Sequence, residues 1–302
     1  MRAPAPFDLD LVVRSHGWYD LPPWTWDPAR RVLARPLRLS GGRVAAVEVA
    51  PRGDGLALRT VAEGPLSAAE AAEVRSQVRT CLSLDEDLGP FRALVEGLSG
   101  RPEAPALRRA LGRGAGRLLR SPTVFEDAAK TLCTTNCSWA MTRTLVGRLV
   151  AELGRESPLG SRTFPSAEEM AERPERFYRD RIRAGYRSPF LRALARRVAS
   201  GEVDLEGLRD RSLPFEEVER RIRDLSGFGP YATEHLLRLL GRYQGLALDS
   251  WSRKKLARLR GRRGQPSDRT LARWFEPWKE WAGLAMWLEI TEDWRQDSPA
   301  WP

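Results

Sequence analysis

The chain has 302 residues, 42% of them hydrophobic, and sets 50 Lys and Arg against 40 Asp and Glu, a net charge of +10. Its length suits one large domain or two of ordinary size; with no apolar run of membrane-spanning length and no apolar signal core in MRAPAPFDLD, it reads as soluble and cytoplasmic. The excess of arginine over lysine fits either a polyanionic partner, nucleic acid first, or a biased genome, and 3 cysteines without a CxxC pair leave no zinc or iron–sulfur site.

Residues 7 to about 61 read as β-rich. FDLDLVV, RVLARPLRL and RVAAVEVAP alternate apolar and polar residues, the last two joined by Ser40-Gly41-Gly42, a hairpin signal. RGDG turns the chain again before LALRTVAEG. Between the first two runs, SHGWYDLPPWTWDP is rich in Trp and Pro and reads as a packed loop, its aromatic side chains serving either the core or a pocket. From about residue 66 the pattern turns helical, with Ser67 and Glu70 as a capping box. Helical periodicity runs through PTVFEDAAKTLCTTNCSWAMTRTLVGRLVAELG to Gly154, where Cys133 and Cys137 read as small buried side chains. AEEMAERPERFYRD, SPFLRALARRVASG, PFEEVERRIRDL and YATEHLLRLLG are further helical segments. After Asp249 come a basic helix and WFEPWKEWAGLAMWLEITEDW, and the tail after about 292 reads as loosely packed. The expected class is α+β, a small antiparallel β-sheet domain over 1–100 and a mainly α-helical domain over 101–302.

LSGFGPYAT joins two of the helical segments. Gly227 and Gly229 permit backbone angles that other residues resist, and Pro230 suits a first helical turn. The stretch fits an ordinary interhelix turn, and it also fits a hairpin whose amides at the helix start hold a phosphate. Eighteen residues after Tyr231, Leu246-Ala247-Leu248 leads into Asp249, which suits the N-cap of SWSRKKLARL. Hairpin and aspartate together resemble the helix-hairpin-helix DNA glycosylase superfamily. The resemblance extends to GRLLRSPTVFEDAAKTLCTTNCSWAMTRTLVGRLVAELG, to RAGYRSPFLRALARRVASG and to CLSLDEDLGPF, and so to most of residues 7 to 290. It is similar to both the 3-methyladenine and the 8-oxoguanine DNA glycosylase branches.

That resemblance implies a monofunctional enzyme of base-excision repair, a monomer at the bacterial nucleoid. It would flip a damaged base, an alkylated or otherwise modified purine, out of double-stranded DNA and hydrolyse its N-glycosidic bond with no cofactor or metal. Asp249 is implied as the catalytic group, its capping role coexisting with it. Gly227, Gly229, Tyr231 and Thr233, with Arg253 and Lys254, are implied contacts to the DNA backbone. The run SRKKLARLRGRRG carries 7 basic residues from Arg253 to Arg263 and no acid, and reads otherwise as a solvated helix face. Asn136 and Tyr186 occupy positions of wedge residues, with a turn and core packing as the competing uses. Trp139, Tyr231, Trp251 and Trp18 or Trp24 are implied walls of the base pocket, each equally suited to the core. Tyr231 stands where bifunctional members carry the Schiff-base lysine, like the 3-methyladenine branch, and Lys254 and Lys255 do not stand at that position. Met141 stands where oxidised-guanine enzymes have an arginine, against strict 8-oxoguanine specificity. The chain has 2 histidines, His16 and His235, and His235 is expected to be structural. Two alternatives remain at this level: a bifunctional glycosylase/lyase, and a non-catalytic module that binds damaged DNA.

Overall fold

The computed structural model describes residues 1–295, so the end of the expected loose tail lies outside the described residues. The fold is α+β. Four strands, β1 (Thr25–Asp27), β2 (Val32–Arg38), β3 (Val44–Arg52) and β4 (Gly55–Ala62), form an antiparallel meander in chain order. The turns fall where the glycines call for them, with Gly42 at φ 81° and Gly53 at φ 54°. Leu33 lies opposite Val49 in the register, and Leu33, Leu37, Val47, Val49 and Leu56 are buried.

FDLDLVV, expected as a strand, is helix α1 (Leu9–Val13). The Asp8 carboxylate accepts the Leu11 amide at 3.2 Å and starts the turn. Leu9, Val12 and Val13, spaced as one helical face, enter one core while Leu11 enters a second. The Trp/Pro segment is not wholly loop, since it holds a 3-10 turn over Gly17–Asp20 and strand β1. Both Trp18 and Trp24 are buried.

Helix α2 (Ala68–Cys81) starts at the expected capping box. Gln77 Nε2 donates to Arg38 O at 2.8 Å and pins α2 against the sheet. Helices α3 (Gly89–Gly97) and α4 (Ala104–Gly112) follow. The expected single run to Gly154 is two helices, α5 (Val124–Thr134) and α6 (Trp139–Leu153), parted at Asn136, whose φ is 45°. Then come α7 (Ala167–Ala171), α8 (Glu175–Phe177), α9 (Ser188–Ala199), α10 (Phe215–Arg223) and α11 (Pro230–Leu239). Helices α12 (Ser250–Leu259), α13 (Asp268–Phe275) and α14 (Ala282–Ile290) complete the described chain.

Apolar burial gathers into two cores. One joins the sheet and α2 to α5, α6, α9, α10 and α11; the other joins α3 and α4 to α12, α13 and α14. Each fully buried leucine in them contributes about 2 kcal/mol. The chain leaves the first core at Leu240, the segment from Tyr243 to Asp249 packs Tyr243, Leu246 and Leu248 into the second, and Gly283 N donates to Tyr243 O at 2.6 Å to hold it. Among the described residues no helix is long and apolar enough to cross a membrane.

Candidate functional site

Asp249 is the N-cap of α12. Its Oδ1 accepts the Ser252 amide at 2.7 Å, and its own amide donates to Ser252 Oγ at 2.9 Å. The reciprocal pair fixes the carboxylate and leaves Oδ2 without a hydrogen-bond donor among the described residues. The chain leading to it is gripped by α11. Arg238 Nη2 donates to Leu246 O at 2.7 Å, and the Ala247 amide donates to Glu234 Oε2. Ala247 takes a φ of 48°, a conformation an alanine keeps only where its surroundings hold it.

Asp249 borders two hollows. One is a cavity of about 290 Å³ walled by Trp18, Trp139, Tyr231, His235 and Trp251. The other is a broader depression of about 750 Å³ that carries Asn136, Tyr186, Gly227 and Gly229. Thr134, Cys137, Tyr231, Asp249 and Ser250 line both, and so form the passage between them.

The aromatic walls expected from the sequence meet here, with one correction. Trp24 does not line the cavity; the Arg35 guanidinium lies 4.5 Å over its ring. Trp18 and Trp139 are core and wall at once, their indole N–H groups donating to Asp127 Oδ1 and Asp20 Oδ2, each at 2.7 Å. The Tyr231 ring stacks on His235, with centroids 5.9 Å apart. Burial, reinforced by the Asp249 charge, pushes the Tyr231 hydroxyl up to about 12, so it stays protonated. Burial also lowers His16 to about 3 and holds His235 well below its ordinary value, so both are neutral. His16 Nε2 donates to Leu119 O at 2.6 Å.

The sequence reading did not place His16, His235, Arg238 or Trp287 in the cavity, and all four line it. Arg238 follows His235 by three residues and Tyr231 by seven, so one face of α11 carries all three. A lone charge inside the apolar run HLLRLLG was the available signal.

At the rim, Asn136 is exposed and Tyr186 is 50% exposed. Asn136 Nδ2 donates to Tyr186 Oη at 3.3 Å, and that hydroxyl donates to Thr135 O at 3.1 Å. The Arg187 guanidinium lies 4.5 Å over the Tyr186 ring. Asn136 and Tyr186 therefore stand as one hydrogen-bonded pair. Cys137 is half-buried in the passage, so the expectation of burial holds for Cys133 alone.

The hairpin joins α10 to α11. Gly227 has φ 89°, and a Cβ there would fall 2.7 Å from the Phe190 ring, so glycine is required. Gly229 does not need unusual backbone angles: its φ is −77° and a Cβ would enter open space. No side chain caps α11, so the Tyr231 and Ala232 amides have no capping acceptor, and both residues line the depression. Thr233 is a second correction. It is fully buried and its amide donates to Gly229 O at 3.0 Å, so it is out of reach of a phosphate.

In the basic run, Arg253 pairs with Asp268, Lys255 with Asp293, and Arg260 with both Glu103 and Glu289. Lys254, Arg258, Arg262 and Arg263 stand exposed. Met141 lies on α6, 45% exposed. Among the described residues no group of His, Cys, Asp and Glu could hold a metal ion.

No family model and no curated protein matches the chain in sequence. Solved structures match its fold along nearly its whole length. The 3-methyladenine DNA glycosylase from Archaeoglobus fulgidus superposes with a TM-score of 0.73 at 20% identity, covering 98% of both chains. The 8-oxoguanine glycosylase/lyase from Clostridium acetobutylicum gives 0.67 at 19% identity, over 94% of this chain and 92% of that one. A 3-methyladenine DNA glycosylase of Schizosaccharomyces pombe, bound to abasic DNA, gives 0.53 at 20% identity over 66% of this chain and 95% of that one. The fold is shared with these DNA glycosylases.

Proposed function

We propose that this chain is a monofunctional DNA glycosylase that removes a modified purine from double-stranded DNA by hydrolysis. One observation carries the reading. A fixed carboxylate, Asp249, stands with one oxygen unbonded at the passage between an aromatic cavity and an open, hairpin-bearing depression. The fold shared with DNA glycosylases supports it.

DNA lies across the depression, with phosphates at the uncapped start of α11 and near Lys254 of α12. Arg253 joins them only by leaving Asp268. A base inside a duplex is out of reach, so the nucleotide turns outward through the passage. The Asn136–Tyr186 pair at the rim fills the gap left in the stack. The sugar then lies beside Asp249. As the C1′–N bond breaks, positive charge grows on the sugar, and the carboxylate stabilises it and takes a proton from the attacking water.

Among the described residues no lysine lines the cavity, and Tyr231 offers a protonated hydroxyl where a lyase needs an amine. That supports hydrolysis without strand scission. The test is excision from duplex oligonucleotides carrying methylated purines, hypoxanthine, ethenoadenine, uracil or 8-oxoguanine. Base release is expected from at least one of them, with strand breakage only after alkali and no borohydride-trapped adduct. A trapped adduct would replace this reading with the glycosylase/lyase, and tight binding without release with the binding module.

A further inference from the structure

The cavity wall holds a buried cation that the chemistry above does not use. Arg238 is 3% exposed and lines the cavity from α11. One of its nitrogens bonds to Leu246 O, its Nε has no hydrogen-bond partner, and its guanidinium lies 4.8 Å over the Trp287 ring. Among the described residues no carboxylate forms an ion pair with it. Burial lowers its pKa to about 10, which leaves it charged at neutral pH.

Two carboxylates, Glu234 and Asp249, favour that charge without forming an ion pair with it. His16 and His235 are neutral, and Tyr231 and Tyr243 keep their protons. The Glu234 carboxylate is taken by the Ala247 amide, and burial raises its pKa. Asp249 lies at the mouth, where the sugar passes. The aromatic walls alone would welcome a cationic base through their ring faces. A full positive charge in the same desolvated space outweighs ring quadrupoles.

We propose that Arg238 is the specificity-determining residue of this pocket, selecting an uncharged purine that departs as an anion over an alkylated purine that is already cationic. The proposal rests on the glycosylase reading and narrows the alkylated or otherwise modified purine expected from the sequence to an uncharged one. When the C1′–N bond breaks, its electron pair stays on the base nitrogen, water oxygen bonds to C1′, and the water proton passes to Asp249. A neutral base therefore leaves with negative charge, which the guanidinium stabilises, and is protonated afterwards. A cationic base leaves neutral and gains nothing from Arg238; its own charge is repelled on entry.

The experiment compares single-turnover excision of hypoxanthine and of 7-methylguanine, each from duplex DNA and each divided by its uncatalysed rate. Wild type is expected to accelerate hypoxanthine release at least tenfold more than 7-methylguanine release. Arg238→Gln should lower that ratio at least tenfold, and Arg238→Lys should restore part of it. Equal losses on both bases in Arg238→Gln would overturn the proposal and leave Arg238 as a strut for Leu246. Should the glutamine variant fail to fold, a wild-type ratio favouring 7-methylguanine overturns it alone. A wild type inactive on every lesion rejects the glycosylase reading itself, a result distinct from an altered ratio.

Discussion

Tyr186 turns half of its surface to solvent while its hydroxyl is tied to Asn136 and Thr135. Such a ring packs only against the Arg187 guanidinium and the Phe190 ring and has little freedom to give up on entering a stack. Tyr186→Ala is expected to change stability by no more than about 0.5 kcal/mol, measured by urea denaturation. Excision from duplex DNA should fall at least tenfold, while excision from single strands, which need no plug, stays near wild type. Equal losses on both substrates would remove the wedge role. Neighbouring Thr233 shows why a position in a motif does not establish a contact: it lies two residues beyond Tyr231, yet on the buried face of the same helix.

The hairpin between α10 and α11 separates two uses of glycine. Gly227 is required by the fold, since its φ of 89° and the nearby Phe190 ring leave no room for a side chain. Gly227→Ala should destabilise the protein by about 1–3 kcal/mol. A Cβ on Gly229 would enter open space, so a methyl there costs the fold little but stands where a phosphate would approach. Gly229→Ala should keep the wild-type melting temperature and weaken DNA binding severalfold, with a shallower salt dependence. Unchanged affinity across salt would remove the phosphate-holding role. Hairpin and aspartate were legible in the sequence because both lie in one short stretch, and Asp249 caps α12 as its position requires. Helix α1 was not, because alternation over FDLDLVV satisfies a strand as well as a single helical turn. The Asp8 cap and burial in both cores select the turn.

At the scale of the whole molecule, the cavity is assembled from distant parts of the chain, and its lining was only partly legible for that reason. His16 reaches Leu119 across 103 residues, and Trp287 Nε1 reaches Ser15 O across 272. Tryptophan count alone could not separate Trp18, which lines the cavity, from Trp24, which does not. Closing the cavity leaves His16 neutral, with a consequence for acid stability. Its folded pKa is about 3 against an ordinary 6.5, so the unfolded chain binds a proton that the folded one excludes. Stability from this residue is therefore present above 6.5 and lost as pH falls, by about 3 kcal/mol at pH 4. Burial holds Glu289 up at about 7, which works in the opposite direction over much of the same window. The comparison is thus wild type against His16→Asn, by melting temperature from pH 4 to 7. The variant should lose less stability on acidification, and parallel curves would contradict a neutral His16.

Asp249 carries the central claim, and asparagine caps a helix about as well as aspartate does. The direct measurement is therefore single-turnover excision and DNA affinity for wild type and Asp249→Asn on one active lesion. The account predicts a rate loss of a hundredfold or more, with folding and affinity near wild type, because only the charge has gone. A variant that releases the base at close to the wild-type rate would contradict it.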